Sequence, residues 1–155
     1  MSGFIRAFTV FPKEMFRLNN GRSIRLRWFP GPIKPEKRSF DILTTEGKVL
    51  PKALDPQNYI SPNGASMRPN TPIMQNLART FKGASVCIYS VPPGTPLPSD
   101  LILVHEYTDH YSLQPREEMT VEELNHKITN FLQTNSECLT REKWRKKYPH
   151  ATETA

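Results

Sequence analysis

The chain has 155 residues, enough for one packed core and little more, and none of it is apolar for long enough to predict a membrane-spanning helix. Apolar residues make up 37% and Pro reaches 15 against 7 Gly, which points to an ordered domain with stiff connections and away from a disordered chain. The net charge of +6 is polarised: residues 1–38 carry nine Lys/Arg against two Glu, residues 39–133 seven basic against ten acidic, and residues 134–155 five against three. A basic end of this kind suits a phosphate-bearing ligand, either a dinucleotide or a nucleic acid, and it equally describes a solvated basic face. The N-terminus lacks the apolar core of a signal peptide, so a cytoplasmic protein is expected. Cys87 and Cys138 are too few for a disulfide framework or a four-ligand zinc site and read as reduced thiols.

In chain order, residues 14–19 alternate as a strand that stops at the Asn20-Gly21 turn pair. Residues 25–29 form a second short strand, and residues 57–61 a third that enters the loop 62–70. Thr71 is an N-cap and Pro72 a first helical residue, so a helix follows over 71–82 with Ile73, Met74, Leu77, Ala78 and Phe81 on one face. Residues 84–91 are β-branched and aromatic, hence a strand, and the proline-rich run 92–99 is a stiff connector. Leu101–Tyr107 and His110–Gln114 make a hairpin around Thr108-Asp109. Thr120 with Glu123 is a capping box for a helix over 120–133, with Val121, Leu124, Ile128, Phe131 and Leu132 as its stripe. Residues 1–133 are therefore read as the domain and 134–155 as a charged tail with a short helix near Thr140 to Lys147. Strands mixed with packing helices, without regular alternation, mean an α+β fold.

Few residues cluster chemically. His105 and His110 flank Glu106 and Asp109, but alternation along a strand turns His105 and Glu106 to opposite faces, so no metal-ligand spacing survives. Cys87 sits in a core strand, where a thiol is usually inert. Neither a Rossmann nor a P-loop glycine pattern is present.

Three stretches carry a resemblance: Tyr59-Ile60-Ser61-Pro62-Asn63-Gly64-Ala65-Ser66, then Val86 to Leu101 with its Val-Pro-Pro-Gly-Thr-Pro-Leu-Pro connector, then His110-Tyr111-Ser112-Leu113-Gln114-Pro115. Together, over roughly residues 14–133, they resemble the type VI secretion toxins with an ADP-ribosyltransferase fold. The resemblance implies two small antiparallel sheets around a cleft with flanking helices, NAD as substrate, a protein or nucleic-acid target, and an immunity partner. It also implies roles. Arg17 matches the first-strand arginine beside the NAD phosphates, where a planar, permanently charged fork is suited. Ser66 matches the loop serine that supports the nicotinamide end and orients the catalytic acid. The place of the family's catalytic glutamate holds His110, with Asp109 one residue away, which leaves a weak NAD glycohydrolase open beside the transferase; Glu106, Glu117 and Glu118 are substitutes by proximity.

Among the tyrosines, Tyr59, Tyr89, Tyr107 and Tyr111 are candidates to stack on the cofactor, and Tyr111 is the one selected. Two other readings stay open. Trp28 among Arg22, Arg25 and Arg27 also fits a nucleic-acid-binding module, or a ribonuclease using His110. The same scaffold without catalysis would be an inactive NAD-binding protein.

Overall fold

The computed structural model describes residues 5–30 and 40–154. Its elements in chain order are β1 (Arg6–Phe8), β2 (Met15–Asn20), β3 (Trp28–Phe29), β4 (Ile42–Leu43), β5 (Lys48–Val49), two 3-10 turns (Lys52–Leu54 and Pro56–Asn58), β6 (Ala65–Met67), α1 (Pro72–Thr80), β7 (Val86–Val91), β8 (Leu101–Tyr107), β9 (His110–Pro115), β10 (Met119–Thr120), α2 (Val121–Asn135), β11 (Glu137–Leu139) and α3 (Arg141–Lys147). The fold is mixed α+β. One sheet has the order β1-β8-β9-β6, another β11-β7-β2, and both are antiparallel. Among the described residues there are also two-stranded pieces, β10-β5 and the parallel pair β3-β4. The two larger sheets touch where Phe16 and Arg68 exchange backbone hydrogen bonds of 2.8 and 3.0 Å.

Helix α1 starts where its sequence requires. The Thr71 side chain accepts from the Met74 backbone N–H, and Pro72 fills a position whose own N–H would have no partner. Met74 and Ala78 are its buried face, with Leu77 and Phe81 half-buried and Ile73 exposed. Helix α2 carries the full reciprocal capping box of Thr120 and Glu123, and buries Val121, Leu124, Ile128, Phe131 and Leu132 against β5, β7 and β9. Ile88 and Leu139 pack with Phe16, Met74, Ala78 and Trp144 in a second cluster beneath α1 and α3.

Two expectations change. Residues 57–61 are not a strand: Pro56–Asn58 form a 3-10 turn, since Pro56 fixes a helical φ and supplies no ladder N–H. Cys87 and Cys138 are not separate thiols but a disulfide. Strand β11 pairs antiparallel with β7, setting Cys138 opposite Tyr89 and the two cysteine Cα atoms 5.7 Å apart, a proximity that a separation of 51 residues conceals. The segment after residue 133 is tied in by the same pairing. Trp144 of α3 is fully buried, edge-on to Phe16 at 5.3 Å.

Candidate active site

Pairing in the larger sheet sorts its residues into two faces. Leu101, Leu103 and His105 lie opposite Pro115, Leu113 and Tyr111, and this face belongs mainly to the large core. Ile102 and Val104 lie opposite Gln114 and Ser112, and Ser112 in turn opposite Ser66 of β6. The register slips between His105 and Tyr107, so Tyr107 pairs with His110 and Glu106 is left between them. That irregularity is a bulge, which re-aims a side chain at the end of a hairpin.

Here the bulge turns Glu106 in toward His110. His110 Nε2 is 2.9 Å from Ser66 Oγ, and His110 Nδ1 is 2.9 Å from Glu106 Oε1, off the line of an ideal hydrogen bond. Both side chains are sheltered, 3% exposed for Glu106 and 13% for His110. Behind the carboxylate stands Tyr59, whose hydroxyl donates to Glu106 Oε2. Burial first, then the neighbouring carboxylate, hold that phenol well above its ordinary value of 10.0.

Arg17 approaches from β2. Its Nη1 donates to the Ser66 backbone carbonyl at 3.2 Å and its Nη2 to Asn19 Oδ1 at 3.4 Å, so it touches the Ser66 main chain and not the hydroxyl. Burial lowers the guanidinium pKa from its usual value. Arg68 lies beside it, 3.5 Å from Asp109 Oδ1.

The structure brings together Arg17, Ser66, Glu106 and His110. Other candidates sit elsewhere. Tyr111 is on the opposite face from His110, stacked on His105 with ring centroids 4.2 Å apart. Tyr107 is the aromatic at this site: it is 56% exposed and stacks on His110 at 5.0 Å. Asp109 faces Thr71 and Arg68, while Glu117 and Glu118 are exposed in the loop beyond the far end of β9. Sequence reasoning missed the Tyr59 and Gln114 contacts. The signal was there in His110-Tyr111-Ser112-Leu113-Gln114, whose polar residues fall at every second position on a strand that would otherwise bury that face.

The model of the Tse2 ADP-ribosyltransferase toxin family matches residues 13–144. The chain belongs to that family. The match takes in every residue of the candidate site just described, and it runs past residue 133 through Trp144 of α3. No curated protein matches the chain. No helix among the described residues is long and apolar enough to cross a membrane.

Proposed function

We propose that the chain is a toxin that uses NAD and transfers its ADP-ribose to a macromolecular target in the cytoplasm of a poisoned cell. A cognate immunity protein would protect the producer. The observation that carries this reading is the row Ser66–His110–Glu106, with 2.9 Å at each step. NAD would lie where the two larger sheets meet. Arg17 and Arg68 suit its phosphates by charge: both line one recess of about 60 Å³ beside Phe16, Leu18 and Met67, and Arg68 would have to exchange its 3.5 Å pairing with Asp109 for the ligand. That space is of phosphate size, so the rest of the dinucleotide would extend from it across His110 and the exposed ring of Tyr107.

When the bond between nicotinamide and ribose C1′ breaks, the electron pair leaves with nicotinamide and positive charge develops on the ribose. A carboxylate would stabilise that charge, but Glu106 lies behind His110 and reaches the ribose only through the imidazole. His110 Nε2 is then the group that meets the substrate, beside the Ser66 hydroxyl. As the acceptor group attacks C1′, its proton passes to Nε2, and the imidazolium formed is stabilised by Glu106 on the other side of the ring.

Nicotinamide release from NAD, with a parallel thermal-shift titration, tests the assignment. His110→Ala should abolish turnover while changing NAD affinity by no more than roughly tenfold, or about 1.4 kcal/mol. Arg17→Ala should weaken binding first. NAD binding without turnover in the wild type would make the chain an inactive scaffold. Stabilisation by an oligonucleotide, fading with salt, and none by NAD would favour the nucleic-acid reading.

A further inference from the structure

The direction of each hydrogen bond beneath the site follows from one group that can only accept. The Leu50 backbone carbonyl takes a hydrogen bond from Asn63 Nδ2 at 2.9 Å. That orients the Asn63 amide, whose nitrogen also donates to Gln114 Oε1 at 3.2 Å. Gln114, with its oxygen engaged, turns Nε2 to Ser112 Oγ at 2.6 Å and to the Tyr59 hydroxyl at 2.7 Å. Tyr59 accepts there, so its single proton goes to Glu106 Oε2. The other carboxylate oxygen faces His110 Nδ1 at 2.9 Å. That approach is off the line of an ideal hydrogen bond, yet a carboxylate oxygen this close to a buried ring nitrogen favours an N–H there over a lone pair, which leaves the lone pair of the neutral ring at Nε2.

We propose that Tyr59 is a positioning residue: its hydroxyl, directed by Gln114, fixes Glu106 against His110 and so holds the neutral imidazole in the Nδ1–H form, leaving Nε2 to accept a proton. Imidazole in water prefers the hydrogen on Nε2, so the protein must impose this form. The network is placed to do so. Tyr59 is 5% exposed, Asn63 1%, Ser112 2% and Gln114 0%, which leaves water little access to replace any link. The Tyr59 ring packs with Ala53, Ile102 and Val104, so it is anchored independently of its hydroxyl. Asp109, the other carboxylate beside His110 in sequence, is engaged by Thr71 and Arg68 and does not compete. Around His110 the remaining charged or titratable groups are Tyr107 of β8, Arg68 just after β6, paired with Asp109, and Arg17, which acts on Ser66 from β2.

This inference rests on the NAD reading for what Nε2 does, and for the tautomer on the hydrogen bonds that hold Glu106 and on its 2.9 Å approach to His110 Nδ1. The test is nitrogen-15 NMR of the full-length chain above the pH at which the imidazolium titrates, with His110 assigned by comparison with His110→Ala. Wild type should show the Nδ1–H form. In Glu106→Gln the Tyr59 proton takes the new amide oxygen and the amide nitrogen faces His110, so the ring should switch to Nε2–H and turnover should be lost. Tyr59→Phe keeps the packed ring and removes only the oxygen. It should shift the population toward Nε2–H and lower nicotinamide release on the order of tenfold, as loss of a supporting partner does elsewhere. An Nε2–H ring in the wild type overturns the inference, as does a Tyr59→Phe protein with unchanged tautomer and turnover. Absence of nicotinamide release in the wild type, with the tautomers as expected, would instead overturn the NAD reading.

Discussion

Thr71 Oγ1 donates to Asp109 Oδ2 at 2.5 Å, joining the N-cap of α1 to the turn of the β8–β9 hairpin. The same hydroxyl accepts from the Met74 backbone, so one side chain both starts a helix and fixes the hairpin that carries His110. Thr108, the first turn residue, has a positive φ of 39° and offers its carbonyl to His105 Nε2 at 2.6 Å.

Asp109→Ala should therefore cost stability before chemistry. It removes the acceptor for Thr71 and leaves Arg68 without its carboxylate, a loss of about 1–3 kcal/mol for buried polar groups. Urea unfolding would read this as a lower midpoint at an unchanged slope. Full stability with lost NAD turnover would instead make Asp109 a reacting group.

Core truncations should rank by burial. Leu124 of α2 is fully buried, and Leu124→Ala should cost on the order of 2–5 kcal/mol. Trp144→Ala should cost about 3–5 kcal/mol, because Trp144 fills the cluster around Phe16 and Ile88. We expect a chain ending at residue 133 to lose its cooperative unfolding transition, since that cut removes Leu139 and Trp144 together. A normal melt for that shortened chain would show 134–155 to be a dispensable tail.

Expression without protection should arrest growth. Arg17→Ala should relieve the arrest while the protein stays folded, as checked by circular dichroism of the purified variant. Arg17→Lys should relieve it in part, since an ammonium keeps the charge but loses the fork that pairs phosphate. Normal growth with soluble wild-type protein would contradict the toxin reading.

Alkaline stability should carry the mark of Tyr59. Its folded pKa is raised, so the unfolded chain releases the phenol proton at a lower pH than the folded one does. The contribution is fully present below the ordinary value of 10.0 and declines as pH rises beyond it. Tyr148, raised chiefly by burial, acts in the same direction. Tyr59→Phe should flatten the fall of the melting temperature above pH 10 relative to wild type. An identical alkaline limb in both would place that proton elsewhere.

Much of the architecture was legible because it is local. Thr71-Pro72 and the Thr120/Glu123 box act within a few residues of themselves, so the starts of α1 and α2 follow from the sequence, as do the β8–β9 hairpin and the stripe of Leu124 and Ile128. Ser66, Glu106 and His110 could be nominated singly, by residue type and by their resemblance to a family. Their assembly was not local. A bulge between His105 and Tyr107 turns Glu106 onto His110, and the pairing of β6 with β9 delivers Ser66 from 44 residues away. The aromatic partner shows the same limit: a one-residue difference in strand position sends Tyr111 to the core face, while the register slip leaves Tyr107 against His110. Sequence sets which residues alternate, whereas only register decides which of them share a face, and register depends on contacts far apart along the chain.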